Sequence, residues 1–129
     1  MKFVAIIIIT ATIAACSVDN GVQECTYNQV NPITAVAGPD TVAVDEEITF
    51  EVTIKMSNEC GELQRFTETN GFPKNISALV IYNDCQCGST TVSVTEPYTF
   101  TASATGTYEL KFMTANAGTP IIKTITVTE

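Results

Sequence analysis

Between residues 48 and 56 apolar and polar side chains alternate without a break. Ile48, Phe50, Val52, Ile54 and Met56 stand against Thr49, Glu51, Thr53 and Lys55. A period of two puts every apolar member on one face of a strand, whereas a helix would scatter them around its circumference. Residues 76–82 are apolar on both parities, which predicts a central strand or one packed on both faces. Shorter runs predict further strands at 41–44, 63–69, 92–94, 108–113 and 121–127, and Pro97 starts another that reaches about Ala102. Turn signals separate them at Gly38-Pro39-Asp40, Asp45-Glu46, 57–61, 70–75, Gly106 and 116–120. Seven or eight short strands with punctuated turns, and no credible helix from Cys16 onward, predict an all-β, antiparallel, two-sheet fold.

The first 31 residues follow a different pattern. Residues 3–15 are apolar except for Thr10 and Thr12, and Lys2 precedes them. A spanning helix needs about 20 apolar residues, and this run is well short of that. Val4 and Ile6 to Ile9 crowd it with branched side chains, and it has no polar face for an amphipathic core helix. A cleaved export signal fits these features. Residues 16–31 are polar and aperiodic and read as a tether, leaving 32–129 as the folded domain.

The apolar run closes on Ile13-Ala14-Ala15-Cys16, which resembles the lipobox of bacterial lipoproteins. The resemblance implies a diacylglyceryl group on the Cys16 thiol and cleavage before Cys16. It implies a membrane attached through the N-terminal lipid as a partner, and Ser17 in place of an inner-membrane retention aspartate points to the outer membrane.

Charge and composition then remove several functions. The chain of 129 residues carries a net charge of −8, and loss of Lys2 with the leader makes the rest one unit more negative. Such a domain repels phosphate backbones, so no nucleic-acid partner is expected. There is no histidine and no tryptophan. The first absence removes Ser-His-Asp and Cys-His catalysis and nearly all histidine metal sites; the second weakens a sugar-stacking platform. No pair of carboxylates stands out for acid–base work. The expectation is a protein that is not an enzyme and has no cofactor.

Five cysteines are present. With Cys16 set aside, Cys25, Cys60, Cys85 and Cys87 remain, an even number that in an exported domain predicts two disulfides. Joining Cys85 to Cys87 closes a ring too small for ordinary disulfide geometry. In both other pairings Cys25 and Cys60 each take one of Cys85 and Cys87. A four-thiolate zinc site would want paired C-x-x-C spacing, which is lacking.

Thr105-Gly106-Thr107-Tyr108 resembles the Gly-x-Tyr that opens the penultimate strand of immunoglobulin-like domains. There the tyrosine hydroxyl bonds back to the main chain at the corner between strands. The antibody-type Cys…Trp…Cys core is missing, so the resemblance implies a single antiparallel immunoglobulin-like β-sandwich outside the antibody type, similar to heads of small lipoproteins in Bacteroides-type bacteria. Asp40-Thr41-Val42 resembles the O-glycosylation acceptor of such bacteria, with Thr41 as the modified residue. Asp40, Asp45, Glu46 and Glu47 read as solvated turn residues more readily than as calcium ligands, because no D-x-D-x-D-G loop is present. Asn75-Ile76-Ser77 is an N-glycosylation tripeptide by chance. Tyr27, Tyr82 and Tyr98 could line a sugar site, but core packing fits the two on strands, Tyr82 and Tyr98, better. Together these features describe a lipid-anchored, non-catalytic envelope protein that binds an unknown protein or glycan or acts structurally. The alternatives are an inhibitor of a basic enzyme such as lysozyme, or a carbohydrate-binding accessory lipoprotein.

Overall fold

The computed structural model describes residues 25–83 and 86–129. Cys16, the apolar leader and Cys85 lie outside the described residues. Among those described there are nine strands and no helix. They are β1 (Tyr27–Asn31), β2 (Ile33–Ala37), β3 (Thr41–Ala43), β4 (Glu47–Met56), β5 (Gly61–Glu68), β6 (Lys74–Tyr82), β7 (Val92–Thr101), β8 (Gly106–Phe112) and β9 (Ile121–Thr128).

β4 is the strand that the alternation predicts. Ile48, Phe50, Val52, Ile54 and Met56 are all buried, and the residues between them face outward. It sits in the middle of a three-stranded sheet, β2-β4-β7, here called sheet B. β6 is central in the six-stranded sheet A, as its double apolar parity predicts. β5 lines one edge of β6 along residues 76–82. The other edge is shared end to end by β1, which pairs with residues 78–82, and β8, which pairs with 74–76. β9 and then β3 complete sheet A.

Five of the seven strand pairings are antiparallel, but β3–β9 and β6–β8 are parallel. The expectation of a purely antiparallel arrangement is therefore corrected: sheet A is mixed. The cause is the route of the chain. After β4 it crosses to the far edge of sheet A as β5 and folds back through the 69–73 turn. The returning strand β6 meets β8 running in the same direction.

Three further differences have local causes. Tyr27–Asn31 and Ile33–Ala37 form strands although no alternation marks them; they are recruited by main-chain pairing with β6 and β4. The segment read as tether thus ends in a strand. Val92–Thr101 is one continuous strand, not two divided at Pro97. The β4–β7 ladder runs through Glu51↔Pro97 without a shift of register. Proline has no N–H for the ladder, so its nitrogen must face the outer side of β7, where sheet B has no further strand among the described residues.

The two sheets face each other across one core. Phe50 from β4 meets Phe112 from β8 with ring centroids 6.1 Å apart, and Tyr98 from β7 meets Phe112 at 5.5 Å. Ile33, Ile76, Val80, Leu110 and Ile125 are completely buried around them. At Gly38, in the β2–β3 turn, a Cβ would lie 2.5 Å from Phe50 Cδ1, so any larger residue forces the Phe50 ring or the turn to shift. Gly106 opens β8 at φ 144°, a region open to glycine and strained for other residues. Two residues on, the Tyr108 hydroxyl donates to the Ala104 carbonyl at 2.8 Å. This is the corner bond that the Gly-x-Tyr resemblance implies.

Candidate functional site

The sequence-predicted residues do not converge on one place. Cys16 and Cys85 are outside the described residues. Cys60, before β5, is bonded to Cys87, before β7, one of the two partners the spacing allowed it. Cys25 is also in a disulfide. Thr41 is exposed at the start of the edge strand β3. Asp40, Asp45, Glu46 and Glu47 are all exposed. Asp45 takes φ 63° in the turn between β3 and β4, a conformation aspartate tolerates better than most residues. Among the described residues no group of three or more His, Cys, Asp or Glu is arranged to hold a metal ion. Tyr82 and Tyr98 are core residues, 0% and 4% exposed, while Tyr27 stacks on Tyr82 at 4.9 Å.

A recess that the sequence did not flag lies at the start of β2. It is a cleft of about 450 Å³, within the range of small-ligand sites. Pro32, Ile33 and Ile121 give it apolar walls, Thr34 and Asn116 add polar ones, and Lys55 contributes a cation. Its far wall is the loop between β8 and β9. The single Thr114 hydroxyl proton is shared within that loop between the Asn116 and Thr119 carbonyls, and the Gly118 N–H donates to Asn116 Oδ1 at 3.0 Å. These local bonds fix the loop in an Asx-type turn. The Ile33 N–H donates to the Met113 carbonyl at 3.0 Å, which ties sheet B to sheet A directly beneath the cleft. Among the described residues the Lys55 ammonium makes no hydrogen bond and no ion pair; Lys74 and Lys111 carry the salt bridges.

The near wall is held from inside by a buried polar cluster. Asn31, 2% exposed, donates through Nδ2 to the Lys55 carbonyl at 2.8 Å and to the Tyr82 hydroxyl at 2.9 Å. The Ser57 N–H donates to the same hydroxyl at 2.8 Å. One side chain from β1 thus holds β4 of the opposite sheet and the end of β6. Replacing Tyr82 by phenylalanine keeps the ring and removes the shared acceptor. Donors left unpaired in a buried site cost about 1–3 kcal/mol, so Tyr82→Phe should lower the urea midpoint by that equivalent with an unchanged slope. A loss below about 0.5 kcal/mol would show that the cluster does not join the sheets.

A second polar cluster lies away from the cleft. The Tyr98 hydroxyl donates to Glu68 Oε1 at 2.5 Å, and Lys74 Nζ is 2.9 Å from Glu68 Oε2. Burial pushes the Glu68 carboxyl up, but the Tyr98 hydrogen bond and the Lys74 ammonium together outweigh it and hold it below the ordinary glutamate range. Burial, and then the Glu68 carboxylate, push the Tyr98 hydroxyl far above the ordinary tyrosine range. A carboxyl lowered on folding stabilises the protein above its unfolded pKa, and that contribution is lost as pH falls through the lower folded value. Glu68→Gln should therefore flatten the acid limb of the stability profile, measured as urea midpoints from about pH 6 down to about pH 3. Identical acid limbs in the two proteins would refute the coupling.

No protein-family model, curated protein or solved structure matches the chain.

Proposed function

We propose that this protein is a lipid-anchored, non-catalytic module of a bacterial cell envelope, placed at the outer membrane, with an immunoglobulin-like β-sandwich as its binding or structural head. One observation carries the reading: the Ile13-Ala14-Ala15-Cys16 tetrapeptide directly after an apolar leader. A single acyl chain gives marginal attachment, at about 0.8 kcal/mol per buried CH₂, whereas two or three chains hold a protein firmly in a leaflet. The sandwich reading is supported by the two facing sheets and the Tyr108–Ala104 corner bond. A sequence without histidine supports a role in binding over catalysis.

Metabolic labelling with palmitate tests the anchor. The intact chain should take the label and enter the detergent phase; Cys16→Ala should do neither. Two unlabelled, freely soluble proteins would end the proposal. The charge of −8 favours a second reading, inhibition of a basic enzyme. Lysozyme assayed at low salt should then slow in the presence of micromolar protein, and an unchanged rate removes this alternative.

A further inference from the structure

We propose that the cleft at the start of β2 captures the free C-terminus of an extended peptide, which adds to sheet B beside β2 as an antiparallel fourth strand. Three observations meet there. The first is a sheet edge: among the described residues β2 forms a ladder with β4 alone, and since its Ile33 N–H is already held by the Met113 carbonyl, an added strand pairs with β2 beyond Ile33. Its Ile33-Thr34-Ala35-Val36-Ala37 sequence carries no charge and no proline, two of the usual guards of an edge, and its register shift lies between Ile33 and Ala35, before the stretch an added strand would use. Thr34, Ala35 and Ala37 are exposed and small, so an approaching main chain meets little obstruction. The opposite edge of sheet B lacks this freedom, since Pro97 removes a donor from the middle of β7.

The second observation is the position of the cleft. A strand running antiparallel to β2 ends where β2 begins, beside Pro32 and Ile33. Its last side chain would enter the recess between Pro32 and Ile121. The third is Lys55, whose ammonium has no partner among the described residues and lines that same recess of a strongly acidic chain. A terminal carboxylate there gains a charge-assisted bond. Main-chain pairing supplies affinity and the end pocket supplies selectivity, as in other strand-addition complexes. An isolated small carboxylate would use the cation but not the edge, which is why the edge and the cleft together select a peptide. Asn31 keeps the site in shape before the ligand arrives by fixing the Lys55 carbonyl from within.

The proposal deepens the binding-module reading and is independent of the lipid. The full 129-residue chain, ¹⁵N-labelled in detergent, is titrated with an eight-residue peptide of alternating threonine and valine bearing a free C-terminal carboxylate. The same peptide amidated and valerate serve as comparisons. Amide shifts should concentrate on Thr34, Ala35, Val36, Ala37 and Lys55. Amidation should weaken binding about tenfold or more, the usual cost of losing a charged partner. Lys55→Ala should bring the free acid down to the affinity of the amide without changing the melting temperature. Unmoved β2 amides under millimolar peptide, equal affinities of acid and amide, or valerate binding as tightly as the peptide would each overturn the proposal. A chain that takes palmitate at Cys16 but ignores the peptide loses this site and keeps its anchor.

Discussion

Phe50→Ala should lower the free energy of unfolding by about 3–5 kcal/mol. Phe50 is completely buried at the centre of sheet B, and its ring reaches Phe112 across the core and Tyr98 beside it. Truncation removes the apolar transfer contribution and leaves a hole that neighbouring strands can only partly close. Domains of this size are stable by about 5–15 kcal/mol, so this single change should bring the protein near its threshold. Urea unfolding at fixed pH measures it; a loss under about 1.5 kcal/mol would mean that this ring does not hold the sheets together. The close approach of Gly38 provides an internal check. Gly38→Ala places a methyl group against Phe50 and should be destabilising alone. In the Phe50→Ala background the same methyl group enters the vacated space, so the two costs should be strongly non-additive.

The paired change Cys60→Ser with Cys87→Ser should cost about 3–4 kcal/mol. The sulfurs close a loop with a sequence separation of 27, and a bridge of that span restricts the unfolded chain by about this amount. Structurally it joins the connection after β4 to the connection before β7, two strands that already pair along their whole length. Loss of the bridge should therefore show mainly as stability, with little change in the β-sheet signal of the folded protein. Because Cys25 is also in a disulfide, a reductant should lower the wild-type midpoint further than the paired substitution does. A melting temperature unaffected by the substitutions would refute this account.

The strands legible from sequence were those with one face in the core. β4 announced itself through five alternating apolar residues, and β6 through apolar residues on both parities, because burial writes those patterns directly. β1 and β2 gave no such signal. Most of their side chains are exposed, and they exist because neighbouring strands offer hydrogen bonds, which no side-chain pattern records. Pro97 was misleading for a related reason: it interrupts a strand only when its nitrogen faces a partner. The order of strands in sheet A was otherwise hidden: the apolar pattern of residues 76–82 marks β6 as the inner arm of its hairpin, but nothing there says that β1 and β8 flank it.

The cleft was illegible for a different reason. Lys55 looked like one more outward member of the β4 alternation, and Asn31 like one more polar residue of the tether. Only the fold brings Pro32, Ile121 and the Asn116 turn beside Lys55. A polar residue one position before a proline and an isoleucine is a faint sign of a pinned strand start, too common to single out unaided. Tyr108 was the opposite case, where four consecutive residues announced a specific bond.

Pro97 also limits self-assembly. A sheet open on both sides can recruit copies without end, as in a fibril. Sheet B offers β2 on one flank and, on the other, a ten-residue strand interrupted by a residue that cannot donate. Two molecules meeting flank to flank through β2 would use up the accessible side of each and present only blocked sides to a third. Growth through this sheet therefore stops at a pair.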